Sequence, residues 1–281
     1  GEPLGIVIIS ETGVTFEHEV AVATETPPVD FKFIKTFALL GIYIGVIPVV
    51  LGMTWLPFLR TLSSRWLHFF LAFTAGVLIF LLAETLLEAV EQANELPTAL
   101  GGIGVVTAAA IGSFAVILAG ARWMQARYAN AERLIVAYTV AAGIGLHNLG
   151  EGLAVGAAYR LGEIGLGAFL VIGFAIHNTT EGIGIVSLLG EKKAGLKHLA
   201  ALGLLAGIPT VFGGWIGAFV FSPLFAALFL AVAAGAIAEV VVDVLKVVRE
   251  EAPGGLTSLE SLAGITAGLA VMYLTGLLVA A

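Results

Sequence analysis

The chain has 281 residues, 59% of them hydrophobic and only 12% charged, with a mean hydropathy of +1.04. This composition excludes an ordinary soluble domain, and apolar runs of about 20 residues from Phe37 onward point to an all-α polytopic membrane protein rather than a β-barrel, whose strands would alternate. The chain has no cysteine, which excludes disulfides and thiolate metal ligands. Its net charge of −7 owes much to six acids in the first thirty residues, and nothing in it points to nucleic acid.

Residues 1–35 differ in kind from the rest. GIVIIS and VTFEHEVAV read as two short strands around Glu11-Thr12-Gly13, and ETPPVD as a stiff connector. The expected organisation is an extracytoplasmic segment over 1–35, a β-hairpin in this reading, followed by a transmembrane domain over 36–281. Glu17, His18 and Glu19 have metal-ligand chemistry, but one histidine between two acids is also what a plain hairpin carries.

Eight spans follow: 37–57, 66–90, 98–121, 134–158, 163–189, 199–221, 223–247 and 258–280. Pro48 is expected to kink the first. Short connections imply antiparallel neighbours in one bundle. Ten of the thirteen basic residues fall on alternate connections: Arg60 and Arg65; Arg122, Arg127 and Arg133; Lys192, Lys193 and Lys197; Lys246 and Arg249. The positive-inside rule makes those connections cytoplasmic and both termini extracytoplasmic, in a multi-pass protein of the inner (plasma) membrane. Of the thirty-six glycines, Gly41/Gly45, Gly152/Gly156, Gly203/Gly207, Gly213/Gly217 and Gly264/Gly268 have the small-xxx-small spacing of helix contacts. Gly143, Gly145, Gly150 and Gly152 surround a polar motif. They serve either packing or a backbone that bends toward an ion.

That motif is the functional signal. The fourth span reads AAGIGLHNLGEGLAVGAAY, with His147, Asn148 and Glu151 near its middle, and thirty residues later the fifth repeats it as His177, Asn178 and Glu181. Helical spacing of four stacks each His on its Glu. The spans run in opposite directions, and His147 lies about 20 Å into its helix at 1.5 Å per residue. The two motifs are therefore expected to meet at similar depth, related by a pseudo-two-fold axis in the membrane plane, as in a transporter site. Two imidazoles and two carboxylates suit a first-row divalent ion. Zn²⁺ takes such ligands at roughly 2.0–2.2 Å, and Fe²⁺, Mn²⁺, Co²⁺ and Cd²⁺ accept the same set. Asn148 and Asn178 add carbonyl oxygens as weak ligands. The plainer alternative is that histidines and acids hydrogen-bond to each other and tie two helices together.

Other acids stand at membrane depth. Glu84 in the second span is open as a secondary ligand, a proton acceptor, a gate residue or an interface acid. Glu239 and Asp243 in the seventh share a face, and Asp243 can pair with Lys246. Glu88, Glu91 and Glu95 lie at the outer mouth, where they would concentrate cations.

At these motifs the chain resembles the ZIP (Zrt/Irt-like) family of divalent-metal transporters, over residues 37–281. The family's fourth span carries H-N-x-P-E-G, matched by His147-Asn148-Leu149-Gly150-Glu151-Gly152, and bacterial members repeat it in the fifth, here His177-Asn178-Thr179-Thr180-Glu181-Gly182. FTAGVLIFLLAETLLEA is similar to the family's second span and AAGAIAEVVVDVL to its seventh. The resemblance implies His147, Glu151, His177 and Glu181 as primary ligands. It also implies zinc or iron uptake toward the cytoplasm, dimerisation, and a transport bundle sliding against a scaffold. Departures are the motif prolines, replaced by Gly150 and Thr180, and Thr210 in AGIPTVFGGWIGA, where many relatives have a glutamate. Asn178 also stands where some have a carboxylate. A second, adjacent metal site is thus expected to be depleted. Two rival readings remain open: an intramembrane metal-dependent hydrolase, although H-E-x-x-H is missing, and a metal-sensing or structural membrane protein that binds without transport.

Overall fold

The computed structural model describes residues 4–9, 15–20, 31–96, 102–128, 132–160, 164–189, 194–219 and 222–280. Two antiparallel strands, β1 (Leu4–Ile9) and β2 (Thr15–Val20), pair with His18 opposite Ile6. The Glu11-Thr12-Gly13 turn, the ETPPVD connector, Lys192 and Lys193 lie outside the described residues, as do the side chains of Glu17, His18 and Glu19.

The remainder is helical. Phe31–Leu59 is built from α1 (Phe31–Gly41), a π-helical turn (Ile42–Val46), α2 (Ile47–Met53) and α3 (Leu56–Leu59). It begins a few residues ahead of the expected boundary, because FKFIK continues the helical pattern. Then come α4 (Ser64–Asn94), α5 (Gly102–Arg127), α6 (Glu132–Arg160), α7 (Ile164–Ser187), α8 (Leu196–Phe219), α9 (Pro223–Glu251) and α10 (Leu259–Ala280). Among the described residues, six stretches are long and apolar enough to cross a membrane: Phe31–Leu59, α4, α5, α8, α9 and Leu259–Leu277. A multi-pass membrane protein follows. The two remaining helices, α6 and α7, are those that carry the polar motifs.

Pro48 acts through the π turn. It has no N–H, so it cannot bond the carbonyl of Ile44 four residues back, and its ring crowds that carbonyl. The widened turn ends with the Ile47 N–H bonded to the Ile42 carbonyl, five residues back, and α2 starts with Pro48 in its first turn.

Glycines sort the helices into two groups. A Cβ on Gly52 or Gly182 would strike the facing backbone of α7 or α2. One on Gly152 or Gly213 would do the same between α6 and α8, and Gly45 and Gly207 bring the π turn against α8. On the other side, Gly264 and Gly268 of α10 lie on the backbone of α4, and Gly235 of α9 on that of α5. The first group is therefore α1–α2, α6, α7 and α8; in the second, glycines pair α4 with α10 and α5 with α9, and α4 packs on α9 to join the pairs. Between them the described glycines meet mainly side chains: Gly143 faces Val240, Gly150 faces Leu230 and Gly184 faces Thr74. The largest apolar core lies along this seam, where Leu78, Leu81, Ile144, Ile185, Ile237 and Val240 are buried.

Candidate metal centre

Both motif helices run unbroken through their motifs. Of the two readings left open for the glycines around His147, the unbroken helix favours packing over a bent backbone. Gly145 and Gly152 admit the carbonyls of Leu205 and Thr210 on α8, so their role is packing. With α6 and α7 regular, spacing of four aims each His and Glu the same way.

The structure brings the four principal candidates together. His147, Glu151, His177 and Glu181 are each no more than 4% exposed. The imidazoles stack with ring centroids 5.8 Å apart. Glu151 Oε1 lies 3.7 Å from His147 Nε2 and 4.0 Å from His177 Nε2, and Glu181 Oε1 lies 3.7 Å from His177 Nε2. These separations are too long for hydrogen bonds. Ligands about 2.1 Å from a tetrahedral ion stand about 3.4 Å apart, so the observed spacing is slightly wider than a loaded site requires. The same four atoms, His147 Nε2, Glu151 Oε1, His177 Nε2 and Glu181 Oε1, are buried with no hydrogen-bond partner. Buried polar groups left unpaired cost stability unless something satisfies them. The three short separations among these four run from His147 through Glu151 and His177 to Glu181, an arrangement that suits a divalent ion better than histidines and acids merely bonded to each other.

The asparagines do more than the sequence suggests. Asn148 of α6 donates its amide to Glu181 Oε2 of α7 at 3.2 Å, and Asn178 of α7 donates to Glu151 Oε2 of α6 at 2.8 Å. Each motif thus orients the other's carboxylate, leaving Oε1 free. Each amide also donates to a main-chain carbonyl: Asn178 to Ile44 at 3.0 Å, and Asn148 to Ala206 at 3.1 Å. The Ile44 carbonyl is the one Pro48 cannot bond. Ala206 adjoins Leu205, whose carbonyl Pro209 leaves unbonded in the same way. Their own Oδ1 atoms are buried without partners, so the expected carbonyl ligands remain available.

The secondary candidates separate. Glu84 reaches the centre: among the described residues it forms with His147 and His177 a set whose ligand atoms all lie within 4.8 Å of one another, a set that does not include Glu151 or Glu181. Sequence reasoning missed Thr85, which is fully buried with Oγ1 2.8 Å from His147 Nδ1; its neighbour Glu84 was the only signal. Thr210 is buried between Gly45 and the backbone at Gly152, with Oγ1 unpartnered. Glu239 and Asp243 lie on α9 and are not in the Glu84 group. Glu239 is 1% exposed with both oxygens unpartnered, and Asp243 is half-buried.

The chain matches no protein-family model and no curated protein sequence.

Proposed function

We propose that the protein is a divalent transition-metal transporter that takes zinc or iron toward the cytoplasm by alternating access, with His147, Glu151, His177 and Glu181 as the primary ligands. The carrying observation is a set of four buried, unpartnered nitrogen and oxygen atoms, two from each motif helix, linked by separations of 3.7 to 4.0 Å. Two carboxylates balance a divalent charge, and two neutral imidazoles suit Zn²⁺, Fe²⁺, Mn²⁺, Co²⁺ or Cd²⁺ as cargo. The resemblance of both motifs to the ZIP family supports the same reading.

In this proposal α6 and α7 cross the membrane with the six apolar stretches, giving eight spans with both termini outside. The reciprocal Asn–Glu bonds, each amide also bonded to a main-chain carbonyl shortly before a proline, support an inverted repeat about the site. The two glycine-packed groups would be the moving bundle and its scaffold, since a seam of side chains shifts more readily than one of interlocked backbones. A homodimer in the plasma membrane follows from the resemblance.

The test is uptake of Zn²⁺, Fe²⁺, Mn²⁺ and Cd²⁺ into proteoliposomes, compared with His177→Ala. Saturable uptake by the wild type that the variant loses is expected. Tight metal binding with no uptake would favour a sensor or structural protein, and peptide or lipid hydrolysis would favour a hydrolase.

A further inference from the structure

The four primary ligands come from α6 and α7, yet α4 of the other group sends two consecutive residues to the same place. Glu84 offers a ligand atom within 4.8 Å of ligand atoms on His147 and His177, and Thr85 Oγ1 sits 2.8 Å from His147 Nδ1. In the tautomer whose Nδ1–H donates to Thr85, His147 Nε2 keeps its lone pair for an ion. Both contacts cross the seam. Other seam contacts there are also made by side chains, such as Thr74 Oγ1 to Ser187 Oγ at 2.7 Å and Thr180 Oγ1 to Met272 Sδ at 3.4 Å. Such contacts can be remade in a new register without parting glycine-packed backbones.

Building on the proposed metal-transport reading, we infer that Glu84 is a divalent-cation ligand lent across the seam, so that a bound ion ties the two helix groups together until Glu84 is exchanged. Glu151 and Glu181 already neutralise a divalent charge. Glu84 is therefore the carboxylate whose replacement by water leaves the ion's charge balanced. Ligand exchange at Glu84 then couples release of the ion to movement along the seam: the ion keeps its α6 and α7 ligands while α4 lets go. The spacing of Glu84, Glu88 and Glu91 places all three on one face of α4, with Glu84 the innermost and Glu95 at the helix C-cap, so the lent ligand is also the last acid on a route from the end of that helix.

The experiment uses the full chain, which contains no native cysteine. Nitroxides are placed at Ala126→Cys on α5 and Lys197→Cys on α8, exposed residues on opposite sides of the seam. Their distance distribution is measured by pulsed electron resonance with and without saturating Zn²⁺, and Zn²⁺ affinity by calorimetry. In the wild type, Zn²⁺ is expected to narrow the distribution. Glu84→Gln is expected to bind Zn²⁺ roughly tenfold more weakly and, even when saturated, to keep its zinc-free distribution; Glu84→Asp should retain the narrowing. Wild-type affinity in Glu84→Gln, narrowing that persists in it at saturation, or no narrowing in a zinc-loaded wild type would each overturn the inference. Failure of the underlying reading looks different: the wild type does not bind Zn²⁺, or His177→Ala binds it unchanged.

Discussion

Asn178 Nδ2 on α7 stands 2.8 Å from Glu151 Oε2 on α6, so the amide of one motif holds the carboxylate of the other. The bond points Oε1 of Glu151 at the two imidazoles and turns Oε2 away. Groups that orient ligands contribute about 10- to 100-fold to metal affinity. Asn178→Ala is therefore expected to weaken Zn²⁺ binding at least tenfold without unfolding the protein. Asn148→Ala should do the same through Glu181. Calorimetric affinities within twofold of wild type for both variants would mean that the amides orient nothing.

Much of this was legible beforehand. Runs of apolar residues long enough to span a bilayer disclose the helices, and two His-Asn-x-x-Glu motifs disclose the four side chains that meet between α6 and α7, because spacing of four fixes a shared face whatever the tertiary structure. What is tertiary was not legible. No local pattern announces that Glu84 and Thr85 meet His147, since 62 residues separate Thr85 from that ring. The asparagines could be read as ligands but not as donors to the opposite helix. The π turn hides behind Pro48, whose sequence reading is a kink. Near His147, Gly145 and Gly152 pack against carbonyls of α8 while Gly143 and Gly150 face side chains of α9, partners that sequence alone does not identify.

Glycines make a prediction about stability. At Gly213 a Cβ would meet the backbone of α6 at Leu149, whereas at Gly112 on α5 it would meet nothing within 4 Å. Overpacking of rigid backbone costs roughly 1–3 kcal/mol or more, while alanine is favoured over glycine in an exposed helix by about 1 kcal/mol. Thermal unfolding in detergent should show Gly213→Ala clearly destabilised and Gly112→Ala unchanged or slightly more stable. Equal effects at both positions would contradict the tight α6–α8 contact.

Orientation can be tested on the cysteine-free background. Asn94 and Ala126 are exposed near the C-terminal ends of α4 and α5, and Lys197 is exposed at the start of α8. With both termini outside, Asn94→Cys in intact cells should react with a membrane-impermeant thiol reagent, and Ala126→Cys and Lys197→Cys should react only after lysis. The reverse pattern would overturn the orientation drawn from the basic residues.

The number of ions bound at the centre follows from the same amides. Glu151 and Glu181 each spend Oε2 on an asparagine and keep Oε1 unpartnered. A second ion bridged by these carboxylates would have to break both bonds. With Glu84 taken by the first ion in the proposed site, it would gain in return only uncharged oxygens from Asn148, Asn178 or Thr210. Two divalent ions a few ångströms apart repel strongly where the dielectric constant is low, and neutral ligands do little to offset that. One tightly bound core ion per protomer is therefore expected, in native mass spectra or in anomalous scattering from crystals soaked with Cd²⁺. Adding an acid at Thr210 is a poor route to a second site, because that side chain already crowds Gly45. Asn178→Asp is the better one: it removes the donor on Glu151 Oε2 and supplies a charged oxygen in its place. The variant should bind a second core ion that the wild type lacks. Two well-occupied ions bridged by Glu151 or Glu181 in the wild type would show that the Asn–Glu bonds give way on loading.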